Sequence, residues 1–267
     1  MPSTQTSAPR PLGSAQSDSP GPRPGAAPGV KRSARVLAWS AAGALVAGSL
    51  MFLAGGRGHP AISAAIGAGP DDFFRAFAAK VLQTPGWGSM HLLILLGPLV
   101  WAAAAPALLD TLRPDARALT SIARSALLLS GALWAVAFVL DGFGAPVYAE
   151  AIAGGAGPDL AGPALTSFRA IAIMMSRLGL VSWIAGGLGI ALLGGSLLGL
   201  GDRTRWHVAV GVSGILIGVG PLLAALQGEY AGGPFISRFW MMNALAVGLW
   251  YLALATCAFG RRPRPAA

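Results

Sequence analysis

The chain has 267 residues, of which 54% are hydrophobic and only 11% charged, with a mean hydropathy of +0.63. An ordinary soluble domain carries about 25% charged residues, so this charge content cannot cover a water-facing surface of that size, and lipid is the expected solvent. The formal net charge of +9 does not point to nucleic acid, because the bases stand in short clusters between apolar runs, where they act as topology signals.

Residues 1–34 are rich in Pro, Gly, Ser and Ala, a composition that cannot bury enough apolar surface to fold, so a disordered cytoplasmic tail is expected there. Lys31, Arg32 and Arg35 flank the first apolar run, Val36–Gly55. That run is long enough to span a bilayer and reads as an uncleaved transmembrane helix rather than a signal peptide. In the next connection, Asp71–Leu82 places apolar residues at helical spacing beside charges. It predicts a short interfacial helix, with Trp87 marking headgroup depth. Ser89–Leu109 is the second span, interrupted by Pro98 and Pro106, whose freed carbonyls neighbouring helices can satisfy. A charged connection comes next, with Asp110, Arg113, Asp115, Arg117 and Arg124.

Ser125–Leu140 supplies only 16 uncharged residues, short of the roughly 20 that a bilayer needs. The third span must therefore take in Arg124, which can snorkel, or Asp141. After Asp141, the sequence Gly-Phe-Gly-Ala-Pro is expected to turn the chain. The fourth span, Leu178–Gly201, begins directly after Arg177; the fifth is Trp206–Leu226, with Gly220-Pro221 as a kink; the sixth is Phe239–Phe259. The predicted fold is an all-α bundle of six transmembrane helices over residues 35–260, with a basic cytoplasmic C-terminus at 261–267.

Thirteen of the 19 Lys and Arg residues then fall on one side and six acids on the other. The positive-inside rule places both termini in the cytoplasm. Heavy Ala, Gly, Arg and Pro usage suggests a bacterial inner membrane. The first two outer connections share a pentapeptide, at Gly67–Asp71 and Gly155–Asp159, the pattern that repeated helical hairpins would leave.

Ionisable residues near hydrocarbon are functional-site candidates by default. The topology puts His91, Asp141, Arg177, Gln227, Glu229, Arg238 and Asn243 in the outer half of the bundle. Asp141, Arg177, His91 and Asn243 are the ligand-binding or proton-relay candidates, with Asp141 and Arg177 expected to pair and His91 to donate or relay a proton. Glu229 and Arg238 read as helix-end charges. Haem would need a second axial histidine at the depth of His91, and His59 and His207 lie elsewhere; no cofactor, metal or catalytic residue is expected. Gly211-Val212-Ser213-Gly214 resembles the serine motif of the rhomboid intramembrane proteases. Those enzymes activate the serine with a histidine on the last core helix, and the sixth span here has none, so the motif reads as helix packing. Gly211, Gly214 and Gly218 form one small-residue face, and Gly179, Ser182, Gly186, Gly189 and Ser196 another. The function expected is that of a small transporter or ligand-binding membrane protein, not an enzyme. The alternative is an accessory subunit that docks on a larger membrane complex through its glycine faces.

Overall fold

The computed structural model describes residues 28–58, 70–154, 158–228 and 234–258. Eight α-helices succeed one another among them: α1 (Pro28–Gly58), α2 (Pro70–Gln83), α3 (Trp87–Leu112), α4 (Arg117–Val139), α5 (Ala145–Ile152), α6 (Pro158–Leu198), α7 (Arg205–Gly228) and α8 (Pro234–Thr256). A 3-10 turn at Pro114–Ala116 precedes α4, and a π-turn at Leu140–Gly144 joins α4 to α5 without a break. Four helices, α1, α2, α6 and α8, open on a proline. Proline suits that position because its ring fixes φ near the helical value and its missing N–H had no intrahelical partner there. Asp71, Asp72 and Asp159 in the first turns of α2 and α6 face the positive end of the helix dipole. At α7, Thr204 Oγ1 accepts the His207 N–H (3.3 Å) while His207 Nδ1 accepts the Thr204 N–H (3.1 Å), a capping box with histidine in the usual Glu place.

Among the described residues, five helical segments are long and apolar enough to cross a membrane: Arg32–Arg57, Trp87–Leu112, Pro114–Ile152, Asp159–Leu198 and Arg205–Leu223. In α8 the apolar stretch among the described residues is the shorter Met242–Thr256. The expected tail boundary at residue 34 falls inside α1; residues 1–27, His59 and Glu229 lie outside the described residues. The expected turn after Asp141 does not form. The chain stays helical to Ile152, and α6 begins at Pro158, so both helices extend well past the predicted spans.

Small residues set the helix spacing. A Cβ on Gly187 would lie 2.3 Å from the Gly218 carbonyl oxygen, and one on Gly218 2.3 Å from that of Gly187. Two turns away, a Cβ on Gly194 would stand 2.6 Å from the Gly211 oxygen. Antiparallel α6 and α7 therefore meet backbone to backbone, which only glycine permits. Gly214 is covered by the Trp250 indole, whose N–H donates to the Val210 carbonyl (2.8 Å). The other predicted face packs on α4. Gly186 lies over Ser130, Gly189 over Leu127, and Ser182 Oγ donates to the Ser130 carbonyl (2.7 Å). Gly48 and Gly97 bring α1 and α3 together in the same way. These glycine faces are filled from within the chain. Ser213, the serine of the rhomboid-like tetrapeptide, donates to the Val210 carbonyl of its own helix (3.1 Å).

At one end of the bundle, polar contacts bind the helix termini. Arg124 donates to Asp110 Oδ2 (2.6 Å) and Thr120 to Asp110 Oδ1 (2.5 Å), tying α4 to α3. Arg113 donates to the Ser196 carbonyl (3.0 Å) and Arg203 to that of Leu198 (2.7 Å), meeting the negative end of the α6 dipole. At the opposite end, α2, α5 and the first turns of α6 form an apolar cap. Phe77, Val81, Trp87, Ala145, Ala149 and Phe168 are its buried centre. The segment in which a short helix was expected, Asp71–Leu82, is helical as α2, and it packs on the rest of the protein through Phe74 and Phe77.

Candidate functional site

The cap end holds a buried histidine–aspartate pair, and local sequence explains its geometry. Trp87 and His91 stand four residues apart at the start of α3, on one face of the helix. Opposite them, Pro146 has no N–H to give to the carbonyls four and five residues back, Gly142 and Asp141. The helix answers by widening. The Ala145 N–H bonds to the Leu140 carbonyl, five residues back, which makes the π-turn. The Asp141 carbonyl left behind accepts the Trp87 indole N–H at 2.7 Å. Glycines make room for this approach. A Cβ on Gly142 would stand 2.8 Å from His91 Cβ, and one on Gly88 3.2 Å from the Gly142 oxygen. Single π-turns of this kind are frequent at functional sites.

His91 is fully buried, and Asp141 is 18% exposed at its side chain. His91 Nδ1 lies 2.7 Å from the Trp87 carbonyl oxygen, and Nε2 3.1 Å from Asp141 Oδ2. A carbonyl can only accept, so Nδ1 carries a hydrogen. If the imidazole were neutral and the carboxylate ionised, two acceptors would then face each other at 3.1 Å. One further proton, on Nε2 or on the Asp141 carboxyl, would satisfy the contact. Asp141 Oδ1 is buried and has no hydrogen-bond partner among the described residues. The rings of Trp87 (4.6 Å between centroids) and Phe138 (5.8 Å) flank the imidazole, and Trp134 stacks on Phe138 (4.6 Å).

The expected Asp141–Arg177 pair is replaced by Asp141–His91, because the helix continues through Asp141 and the π-turn aims its carboxylate at α3. Arg177 is exposed on α6. Asn243 belongs to a different place. Its Nδ2 donates to the Ile217 carbonyl (3.3 Å), which lies four residues before Pro221 and so has lost its helical donor. Trp87, read from the sequence as a headgroup marker, is 4% exposed and holds the site's backbone. No groups of three or more metal-ligating side chains come together among the described residues.

No family model, curated protein or solved structure matches this chain.

The indole N–H of Trp87 can be tested alone. Trp87→Phe keeps an aromatic ring in the cap but strands the Asp141 carbonyl, and it should lower stability by about 1–3 kcal/mol in lipid nanodiscs. An unfolding midpoint equal to wild type would show that the carbonyl finds another donor.

Proposed function

We propose that this is a six-span bacterial inner-membrane protein, with its basic end in the cytoplasm, that acts as a small transporter or ligand-binding protein through a proton-binding centre at His91 and Asp141. One observation supports this reading: His91 Nδ1 faces the Trp87 carbonyl while Nε2 faces Asp141 Oδ2 at 3.1 Å, an arrangement that a proton shared by the pair would satisfy. A buried acid and imidazole that share one proton can take it up from one side and release it to another. The orphaned Oδ1 supports the same reading, since a buried carboxylate oxygen without a donor is costly to keep and a proton relieves it. Trp87, Gly142 and Pro146 position the pair, and the rings of Trp87 and Phe138 flank the imidazole. The accessory-subunit alternative has less support, because the glycine faces it relied on pack inside the chain.

Infrared difference spectroscopy between acid and alkaline pH tests the centre. Wild-type protein in lipid should show a carboxylic-acid or imidazolium band that shifts in D2O and vanishes in Asp141→Asn. An identical difference spectrum in that variant would end the proposal.

A further inference from the structure

Beside the His91–Asp141 centre, a column of aromatic rings runs down the inner side of the bundle. Helices α1, α3, α4, α6, α7 and α8 neighbour one another in a ring. On α6, Ser182 faces α4 and Gly187 faces α7. At about 100° per residue, Trp183 falls between those two directions, toward the middle of the ring. It packs on the central apolar core there, yet it is only half-buried. Trp134 of α4 meets it edge to face with 5.7 Å between centroids, and is half-buried as well. One turn nearer the cap, Phe138 stacks on Trp134, and Asp141 follows about 10 Å from Trp134 along the helix. The core residues of α6, Ile190, Leu193 and Leu197, all lie on the other side of Trp183 from the cap. The middle of the ring is therefore filled from Trp183 to the basic end. Toward the cap, half-buried aromatic rings lead up to a carboxyl group that is 18% exposed.

We propose that Asp141 and this column bind a primary ammonium carried on an aromatic body, an inference that rests on reading His91–Asp141 as the functional centre. Asp141 Oδ1 is buried and has no donor among the described residues. An ammonium brings three N–H donors and the charge opposite to that of a carboxylate. The last torsion of an aspartate is soft, so rotation about Cβ–Cγ turns that oxygen to the exposed side of the carboxyl. The indole faces of Trp134 and Trp183 carry the negative quadrupole that attracts a cation and stacks an aromatic ring. Opposite Trp134, Gly179 puts no side chain over the ring. An anion would be repelled by the carboxylate and by the ring faces alike, and a neutral ligand would leave the carboxylate charge unmet.

Calorimetric titration of the full chain in lipid nanodiscs, with empty nanodiscs as the blank, tests it with benzylammonium and its neutral counterpart, benzyl alcohol. Benzylammonium should bind wild type with saturation, and benzyl alcohol should give no more heat than it gives empty nanodiscs. Asp141→Asn should weaken benzylammonium binding about tenfold or more, since the amide keeps the shape but not the charge. Trp134→Leu should weaken it about threefold to tenfold, the share of the aromatic face. Equal binding by wild type and Asp141→Asn overturns the proposal, and so does benzyl alcohol that binds as tightly as benzylammonium. If Asp141→Asn does not fold, the wild-type comparison of the two probes decides alone. The infrared difference spectrum separates this failure from that of the proton centre. A wild-type band that vanishes in Asp141→Asn, with no benzylammonium binding, leaves the centre standing and removes the ligand. Binding that depends on Asp141 without such a band keeps the ligand and removes the proton.

Discussion

Replacing His91 by phenylalanine should cost about 3–5 kcal/mol, because it strands Asp141 in a place where the carboxylate has no other donor among the described residues. Asp141→Leu should cost less, about 1–3 kcal/mol, the penalty of a buried ring nitrogen left without its partner. The double variant should lose less than the sum of the two, since each single change leaves a buried group that the other removes. Asp141→Asn is the informative exception. Its amide can donate to Nε2 of a neutral imidazole, so the variant should unfold close to wild type while lacking the carboxyl group. Equilibrium unfolding in nanodiscs reads all four proteins. Strictly additive losses, or an Asn variant as unstable as the Leu variant, would show that the two side chains do not share a proton.

The α6–α7 contact should respond more abruptly. Gly218→Ala places a methyl 2.3 Å from the Gly187 oxygen and 2.7 Å from the Ala191 nitrogen, both backbone atoms that cannot rotate away. The helices must part along that contact, and the loss should reach about 3 kcal/mol, the upper end of ordinary overpacking. Gly195→Ala is the control on α6. Nothing lies within 4 Å of its added carbon, so it should gain ~0.5–1 kcal/mol from helix propensity. Thermal melts of the two variants should therefore move in opposite directions. A Gly218→Ala protein that melts with wild type would mean that the two helices already sit further apart.

Much of this architecture was legible because lipid imposes simple rules. Long apolar runs and the spacing of Gly211 and Gly218 carried over to the fold. His91 and Asp141 were visible as ionisable residues at one depth. The partner that Asp141 faces could not be read. The Gly-Phe-Gly-Ala-Pro sequence suits a turn, yet the chain stays helical by admitting one extra residue per turn. Such an insertion rotates the downstream residues by about 100°, so helical spacing counted from Ser125 no longer tells which face a later residue occupies. Trp87 was misplaced for a related reason. A tryptophan at a span end normally rests at the headgroups, and only the proline-orphaned carbonyl across from it explains why this one turns inward. The apolar character of α6 before Arg177 was apparent, but that its helix begins at Pro158 depended on the cap that α2 and α5 build against it.

The length of α6 has a mechanical consequence. With 41 residues it is a rod of about 61 Å, twice the hydrocarbon thickness, and its one internal proline, Pro163, lies near the start. Its first turns are gripped by the cap through Phe168, its middle by α4 and α7, and its last carbonyls by Arg113 and Arg203. A rod held at three heights in this way works as a lever. If the cap tilts by even a small angle, the tight glycine contact with α7 is the fulcrum, and the displacement arrives, reversed in direction, at the Arg113 and Arg203 end of the helix.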